Sequence, residues 1–185
     1  TEPILYTELL DHDGNVLIDN SSPSTHEVVK DSTAYLLTSA MEDVINRGTG
    51  TPARLSGMTA AGKTGTTENS TDLWLSAFTP YYTGSVWTGY DENKHMESIY
   101  DQSWHMRIWK NIMDRIHEGL PDKDFETPSS VVQKTICTQT GKLAVSGCPT
   151  LTEYFASDNV PTESCAGHKP ATTDKDDKDD DDKDT

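Results

Sequence analysis

The stretch SGMTAAGKTGTTENS, residues 56–70, contains two overlapping motifs. One is the phosphate-binding pattern Gly-x-x-x-x-Gly-Lys-Thr, which Gly57, Gly62, Lys63 and Thr64 fill. The other is Lys-Thr-Gly-Thr, residues 63–66, which on an extended strand presents a cation and two hydroxyls beside an open backbone. The two motifs need different surroundings, so the flanking sequence decides between them.

A phosphate-binding loop follows a buried strand and opens a helix, because the helix N-terminus directs its N–H groups at the phosphates. Here the preceding residues, RGTGTPARLSG (47–57), are typical of a loop. The following residues, GTTENSTD (65–72), are poor helix formers without apolar periodicity. The flanks therefore argue against a nucleotide site.

The same flanks favour a strand, MTAAGKTGTT (58–67), followed by two more. DLWLSAFTP (72–80) is predicted to be a strand with Trp74 and Phe78 on one face and Leu73, Leu75 and Ala77 on the other. YYTGSVWTGYD (81–91) is rich in strand formers, and Pro80 suits a connection between antiparallel neighbours. An extended backbone of this kind can pair with a peptide-like substrate along its edge.

Two helices and a hairpin surround these strands. The first helix is predicted over 33–46, capped by Ser32 or Thr33 and ended by Gly48. The second is predicted over 103–120. Its expected buried face consists of Trp104, Ile108, Ile112, Met113 and Ile116.

The two ends of the chain have simpler patterns. Residues 4–10 and 16–18 flank Asp13-Gly14, which predicts a β-hairpin. Near the other end, 131–137 and 142–145 are expected to form one small hairpin around Thr140-Gly141, with the rest irregular.

The predicted organisation has three parts. Residues 1–120 form a mixed α/β (α+β) part, 121–170 a loop-rich extension with cysteines, and 171–185 a disordered acidic tail. The tail holds eight Asp and three Lys. It includes DDDDK, which is either a cloning remnant or a natural acidic sequence.

Net charge and hydropathy limit the classes of function that the chain can have. The net charge of −16 argues against a nucleic-acid partner, which proteins usually meet with clustered Lys and Arg. No run of apolar residues is long enough for a transmembrane helix, so a membrane anchor, if the protein has one, is expected outside this chain.

Cys137, Cys148 and Cys165 have ten and sixteen residues between them, which fits no Cys-x-x-Cys metal knuckle. One disulfide with one free thiol is expected for an exported protein, the alternative being three unpaired thiols. The six histidines are scattered and are expected to be solvated, so no metal site is predicted.

The chain resembles the class A, bifunctional penicillin-binding proteins over about residues 2–168. Two runs carry the resemblance: TAYLLTSAMEDVINRGTG (33–50) and AGKTGTTENSTDLWLSAFTPYYTGSVWTGYD (61–91). Ala77, where that family usually has Gly, and Leu75, where it usually has Phe, are departures that concern packing. The C-terminal features Phe125, Pro128, the 140–144 run, Cys148, and Phe155, Pro161, Cys165 and His168 also match the family.

The resemblance implies a transpeptidase domain of the penicillin-binding and serine β-lactamase type that cross-links peptidoglycan and binds β-lactams without a cofactor. Lys63 would tune the electrostatics beside the nucleophile, and Thr64 and Thr66 would hold the substrate carboxylate. Gly65 would keep the strand face clear, and the backbone N–H of Thr66 would form half of the oxyanion hole. A disulfide is expected between Cys148 and Cys165, leaving Cys137 free.

The family also uses Ser-x-x-Lys and Ser-x-Asn motifs before Lys-Thr-Gly, yet Ser-x-x-Lys occurs nowhere in these 185 residues. Ser157-Asp158-Asn159 spells the second motif about ninety residues after the box and is interpreted as coincidence. The nucleophile is therefore expected on sequence missing here or on a separate chain, and the family also has a glycosyltransferase domain and a membrane anchor outside these residues. The expected location is the extracytoplasmic face of a bacterial, Gram-positive cell membrane.

Three alternatives stay open at this point. A D-Ala-D-Ala carboxypeptidase or a β-lactamase shares Lys-Thr-Gly with the transpeptidases. A wall-associated module that binds stem peptides without a nucleophile is the alternative from a different class.

Overall fold

The structure is a computed structural model that describes residues 3–22, 24–97 and 101–168, with only the backbone described at residue 101. It divides into two compact units, one ending at Pro128 and the other beginning at Ser129. The predicted acidic tail, 171–185, lies outside the described residues.

The first unit is organised around a three-stranded antiparallel sheet. It contains β3 (Ala61–Thr66), β4 (Asp72–Phe78) and β5 (Thr83–Gly89) in the order β3-β4-β5. The strand predicted here is confirmed, and the face of Leu73, Leu75 and Ala77 is the buried one. β3, which carries the Lys-Thr-Gly-Thr run, is an edge strand of this sheet.

The first helix, α1 (Asp31–Asn46), packs against β3. The prediction of a Ser32 or Thr33 cap is wrong, because the N-cap residue is Lys30, whose side chain makes no capping hydrogen bond. Asp31 instead lies in the first turn, and its carboxylate accepts the N–H of Ser32 at 2.6 Å. An acidic residue is favourable at that end of a helix.

The second helix, α2 (Trp104–Ile116), packs against β5 and β4, but not through the face that its apolar spacing indicates. Its buried residues are His105, Met106, Trp109 and Met113. The predicted core residues Trp104, Ile108, Ile112 and Ile116 are 39–50% exposed, and of that set only Met113 is buried. Apolar spacing identifies a face of a helix, but the neighbouring elements decide which face is covered.

Two histidines of this region are buried, contrary to the prediction that they are solvated. His117 bonds through Nε2 to the Thr79 hydroxyl at 2.8 Å and through Nδ1 to the Met113 carbonyl at 2.7 Å. His105 is 2% exposed, and burial lowers its pKa.

The predicted hairpin at the start of the chain is confirmed. β1 (Glu8–Leu10) pairs antiparallel with β2 (Val16–Asp19). Gly14 in the turn has φ of 85°, a conformation that glycine adopts without strain.

The second unit contains β6 (Val131–Cys137) and β7 (Thr150–Ala156), paired antiparallel over their whole length. The predicted pairing of 131–137 with 142–145 is confirmed only at the end of β6, where Ile136 forms an antiparallel bridge with Leu143 and the Cys137 N–H donates to the Lys142 carbonyl at 2.8 Å. Residues 150–156, predicted to be irregular, provide the partner strand. Their β-forming side chains face those of β6, as in the pair of Val132 with Phe155.

Within the described residues, neither helix is long and apolar enough to cross a membrane.

Candidate active site

Lys63, Thr64, Gly65 and Thr66 form the end of β3. The chain then turns through a short 3-10 segment, Glu68–Ser70, and enters β4. No helix follows the lysine, so the donors that a phosphate-binding loop needs are not formed here. The structure agrees with the strand interpretation of this motif.

Strand alternation separates the four residues onto two faces of the sheet. Lys63 and Gly65 share the face of Trp74, which is 46% exposed. Thr64 and Thr66 lie on the opposite face, aligned with buried residues of β4. Because β3 is an edge strand, groups from both faces flank the same row of backbone N–H and C=O groups.

The polar groups of this strand are accessible to a ligand. Lys63 is exposed, forms no ion pair with a described residue, and donates from Nζ to the Thr64 carbonyl at 2.7 Å. The Thr64 and Thr49 hydroxyls are 2.9 Å apart, whereas the exposed Thr66 hydroxyl has no hydrogen-bond partner among the described residues.

Thr49 is a site residue to which the sequence assigned no role. It lies between Gly48 and Gly50, in the turn after α1. A Cβ on either glycine would come within 2.9 Å of α1, to Val44 or to Ile45. The signal for Thr49 is the Gly-Thr-Gly run itself, because only glycines let this turn fold so closely onto the helix.

The two glycines of β3 are in different surroundings. A Cβ on Gly62 would lie 2.5 Å from the Ala77 Cβ, closer than real side chains approach each other. A Cβ on Gly65 would lie 3.4 Å from the Trp74 Cβ, which is ordinary contact. Gly62 is therefore required for packing of the sheet, and Gly65 is not.

Asp72 fixes the turn that follows the motif. Its carboxylate accepts from Trp87 Nε1 at 2.9 Å and from the Thr67 and Thr71 hydroxyls at 3.2 Å each. The Trp87 bond is the largest of the effects that lower the pKa of Asp72. In this turn Asn69 has a positive φ of 58°, and Glu68 is an exposed loop carboxylate.

A separate cleft of about 420 Å³ opens elsewhere in the first unit, and it does not include the residues of the motif. Glu42, Asp122 and Asp124 are among its lining residues. Burial is the main cause of a raised Glu42 pKa, and repulsion by Asp124 and Asp43 adds to it.

The cysteines of the second unit are arranged differently from the prediction. Cys137, Cys148 and Cys165 are free, so the expected disulfide between Cys148 and Cys165 is not formed in this structure. All three thiols gather with His168, and the four donor atoms lie within 4.8 Å of one another. The three sulfurs therefore lie beside the imidazole of His168 as well as beside one another.

Hydrogen bonds within this cluster shift the pKa values of Cys137 and His168. Burial raises the pKa of the Cys137 thiol, but bonds from His168, Thr140 and the backbone outweigh burial and bring the pKa to about 6. The same Cys137–His168 bond is the largest cause of a raised His168 pKa. The hydrogen bond between Cys137 and His168 therefore acts on the pKa of both groups.

Residues 1–114 match the model of the penicillin binding protein transpeptidase domain. The chain belongs to this transpeptidase family. Residues 127–170 match a second model, described as penicillin-binding protein 1A, C-terminal domain.

Curated relatives of the chain are also penicillin-binding proteins. The chain is 34% identical to penicillin-binding protein 1A of Clostridium tetani over 178 residues, which cover 91% of this chain and 22% of the relative. It is also 34% identical to penicillin-binding protein 2D of Bacillus subtilis over 185 residues, 95% of this chain and 26% of the relative. The chain thus spans about a quarter of the length of these transpeptidase-family relatives.

A solved structure shares the fold. The crystal structure of penicillin-binding protein 1A from Haemophilus influenzae matches with a TM-score of 0.66 at 23% identity, over 88% of this chain and 30% of that one. The predicted fold class, antiparallel strands flanked by helices in a transpeptidase domain, is confirmed.

Proposed function

We propose that this chain supplies the substrate-binding strand of a serine D-Ala-D-Ala transpeptidase that cross-links peptidoglycan and is acylated by β-lactams. The observation that supports it is the position of Lys63–Thr66 on the edge strand β3, in a chain of the transpeptidase family. An edge strand offers its backbone to an extended peptide, and the side chains beside it select the ligand.

Each residue of the motif then has a role. Lys63 places a positive charge beside the nucleophile, and the Thr64 and Thr66 hydroxyls bind the terminal carboxylate of the stem peptide or β-lactam. Gly65 has no side chain to cover the exposed face of β3, which lets the ligand approach the strand. The Thr66 N–H donates one bond to the oxyanion of the tetrahedral intermediate.

The reaction proceeds by covalent catalysis. A serine hydroxyl attacks the carbonyl between the two D-Ala residues and loses its proton to a base. The C–N bond breaks, D-Ala leaves as the protonated amine, and an amine of a second stem peptide attacks the resulting ester. A β-lactam follows the first half of this path, and its acyl-enzyme persists because water does not reach the ester.

The nucleophilic serine belongs to sequence outside this chain, because no Ser-x-x-Lys occurs in the 185 residues. We place a glycosyltransferase domain and a membrane anchor outside it as well, with the site on the extracytoplasmic face of the membrane. Ser157-Asp158-Asn159 takes no part in this proposal, since it follows β7 in the second unit.

Labelling with a fluorescent penicillin tests the proposal in the longer protein that contains these residues. We expect covalent label on a serine outside this chain, and Lys63→Ala should slow acylation by about 100-fold or more while folding is retained. Lys63→Arg should recover part of the rate because it keeps the charge. Lys134→Ala, which removes an exposed lysine from β6, is the matched control and should leave the rate unchanged.

Unchanged acylation in Lys63→Ala would remove Lys63 from the site. A labelled enzyme that releases stem peptide to water but never to an amine would indicate a carboxypeptidase. Stem-peptide binding without label on any chain would favour the non-catalytic module instead.

A further inference from the structure

We propose that Cys137, Cys148, Cys165 and His168 form a structural zinc site that holds the second unit together. The inference rests on this cluster alone and is independent of the proposed catalytic function.

The four donors come from three segments that the backbone brings together. Cys137 ends β6, Cys148 ends the turn 145–148, and Cys165 and His168 belong to the segment 163–168. The sulfur of Cys137 is 2.9 Å from His168 Nε2, and that of Cys165 is 3.4 Å from the same nitrogen.

Hydrogen bonds fix these segments next to one another. The N–H of Cys137 donates to the Lys142 carbonyl at 2.8 Å, and the N–H of Cys165 donates to the Leu143 carbonyl at 2.8 Å. The strand end and the 163–165 segment are therefore both attached to the residues that run between them. A salt bridge of 2.7 Å between the Lys142 and Glu163 side chains also joins the 163–165 segment to these residues.

Two turns direct the remaining donors inward. Gly167, with φ of 90°, makes the tight turn that places Cys165 and His168 on the same cluster. Gly147, with φ of 87°, precedes Cys148, whose sulfur accepts the Val145 N–H at 3.5 Å. Backbone N–H groups also donate to the sulfurs of Cys137 and Cys165.

The donor set selects the metal. Three thiolates and one imidazole are a ligand set of structural zinc, with Zn–S near 2.3 Å and Zn–N near 2.0–2.1 Å. A tetrahedron with those bond lengths has edges of about 3.5–3.8 Å. The limit of 4.8 Å on the separations of the four donors accommodates that tetrahedron after small side-chain adjustments. On binding, the thiols and any protonated His168 lose their protons to solvent.

The site is closed, as structural zinc sites are. Cys137 is 0% exposed and Cys165 is 5% exposed, while Cys148 and His168 are half-buried. Four protein ligands leave no position for a substrate or an activated water. The arrangement therefore points to a role in stability and not in catalysis.

The second unit also needs such a cross-link. Among its described residues, 129–168, only Val131, Cys137 and Cys165 are buried. A unit of this size with so small an apolar core usually depends on a metal or disulfides. A single disulfide would use two of the three sulfurs and leave the third beside His168 without a function.

Metal analysis of the 185-residue chain tests the site. The protein is purified with a reducing agent and without chelator, and its zinc content is measured by mass spectrometry. We expect one zinc per chain, and Co²⁺ in its place should give the visible absorption of tetrahedral cobalt bound by thiolates. His168→Ala should weaken zinc binding by at least about 10-fold, since even changes to groups that only orient ligands cost about 10- to 100-fold.

Two further variants separate a lost ligand from a lost fold. His168→Cys keeps four donors, so it should bind one metal and change the cobalt spectrum towards four sulfurs. His12→Ala is the matched control, because His12 lies with Asp11 and Asp13 in the other described cluster of metal-binding groups. It should leave zinc binding unchanged.

Several results would overturn the site. They are an unchanged zinc affinity in His168→Ala, zinc loss in His12→Ala, and an absence of both zinc and cobalt binding in the reduced protein. A Cys148–Cys165 disulfide in metal-free protein purified without reductant would also overturn it and would restore the pairing expected from the sequence.

Discussion

The two units of the chain are stabilised in different ways. The first has a core of aliphatic and aromatic side chains in which Ile45, Leu75 and Trp109 are each at most 1% exposed. The second buries one valine and two cysteines in its described part. In the first unit, apolar burial can support an edge strand that is open to a ligand. In the second, stability depends on the proposed zinc site, whose four side chains must all be present.

Removal of metal should have the largest effect, and only on the second unit. Structural zinc contributes about 10–16 kcal/mol in zinc-finger peptides, so a chelator should abolish hydrogen-exchange protection of the β6 and β7 amides. The amides of β3–β5 should keep theirs. Equal loss in both units would contradict the difference between them, and added zinc should restore the pattern.

Substitution of Gly62 by Ala should destabilise the first unit and leave the stability of the second unchanged. The new Cβ would overlap the Ala77 Cβ, and overpacking of this kind costs about 1–3 kcal/mol. Exchange protection of the β3–β5 amides should fall by a corresponding amount, while β6 and β7 are unaffected. Gly65→Ala, on the same strand, is the control and should cost much less.

A double-mutant cycle sharpens this test. Ala77→Gly removes the methyl group that Gly62→Ala would meet, so the double variant should recover part of the lost stability. We expect a coupling energy of about 0.5–3 kcal/mol in the favourable direction. Strict additivity of the two changes would show that the overlap is relieved by movement of the sheet.

The smallest expected effect concerns charge in the first unit. Folding raises the pKa of Glu42, so the favourable contribution of its protonated form is lost as the pH rises above the ordinary value of 4.5 through the folded pKa. Glu42→Gln should therefore stabilise the first unit at pH 7, by less than about 1 kcal/mol, and have no effect at pH 3. Glu153→Gln on β7 is the control. A gain that is equally large at pH 3 would exclude this cause.

Local patterns in the sequence predicted the first unit well. Strict alternation in β4 and the Asp13-Gly14 turn determine structure over a few residues, and both predictions are confirmed. The buried face of α2 was not predictable in the same way. Its isoleucines have helical spacing, but Trp109 meets β5 instead and donates to the Gly84 carbonyl at 3.1 Å.

The second unit was harder because its structure depends on distant contacts. β6 pairs along its length with a strand that begins thirteen residues after β6 ends, whereas the nearer segment 142–145, the partner predicted from the sequence, bridges only the end of β6. The cysteine cluster had a signal in Cys165-Ala-Gly-His168, a Cys-x-x-His spacing. That pair alone does not predict the cluster, because the other two donors, Cys137 and Cys148, come from distant parts of the sequence.

For the candidate site, the sequence predicted the strand and its motif but not the surroundings. Edge position follows from the sheet order, and the partnership of Thr49 with Thr64 follows from how the turn after α1 folds onto the helix. Neither is encoded in the motif itself.

The open edge of β3 also affects how the chain behaves at high concentration. Unpaired strand edges can pair with a second copy of the same chain, and proteins commonly oppose this with a charged side chain, often lysine. Among the motif residues, Lys63 is the one that carries a charge. Lys63→Ala therefore removes a barrier to self-association as well as a group of the site, and its acylation rate is meaningful only in dilute samples shown to be monodisperse.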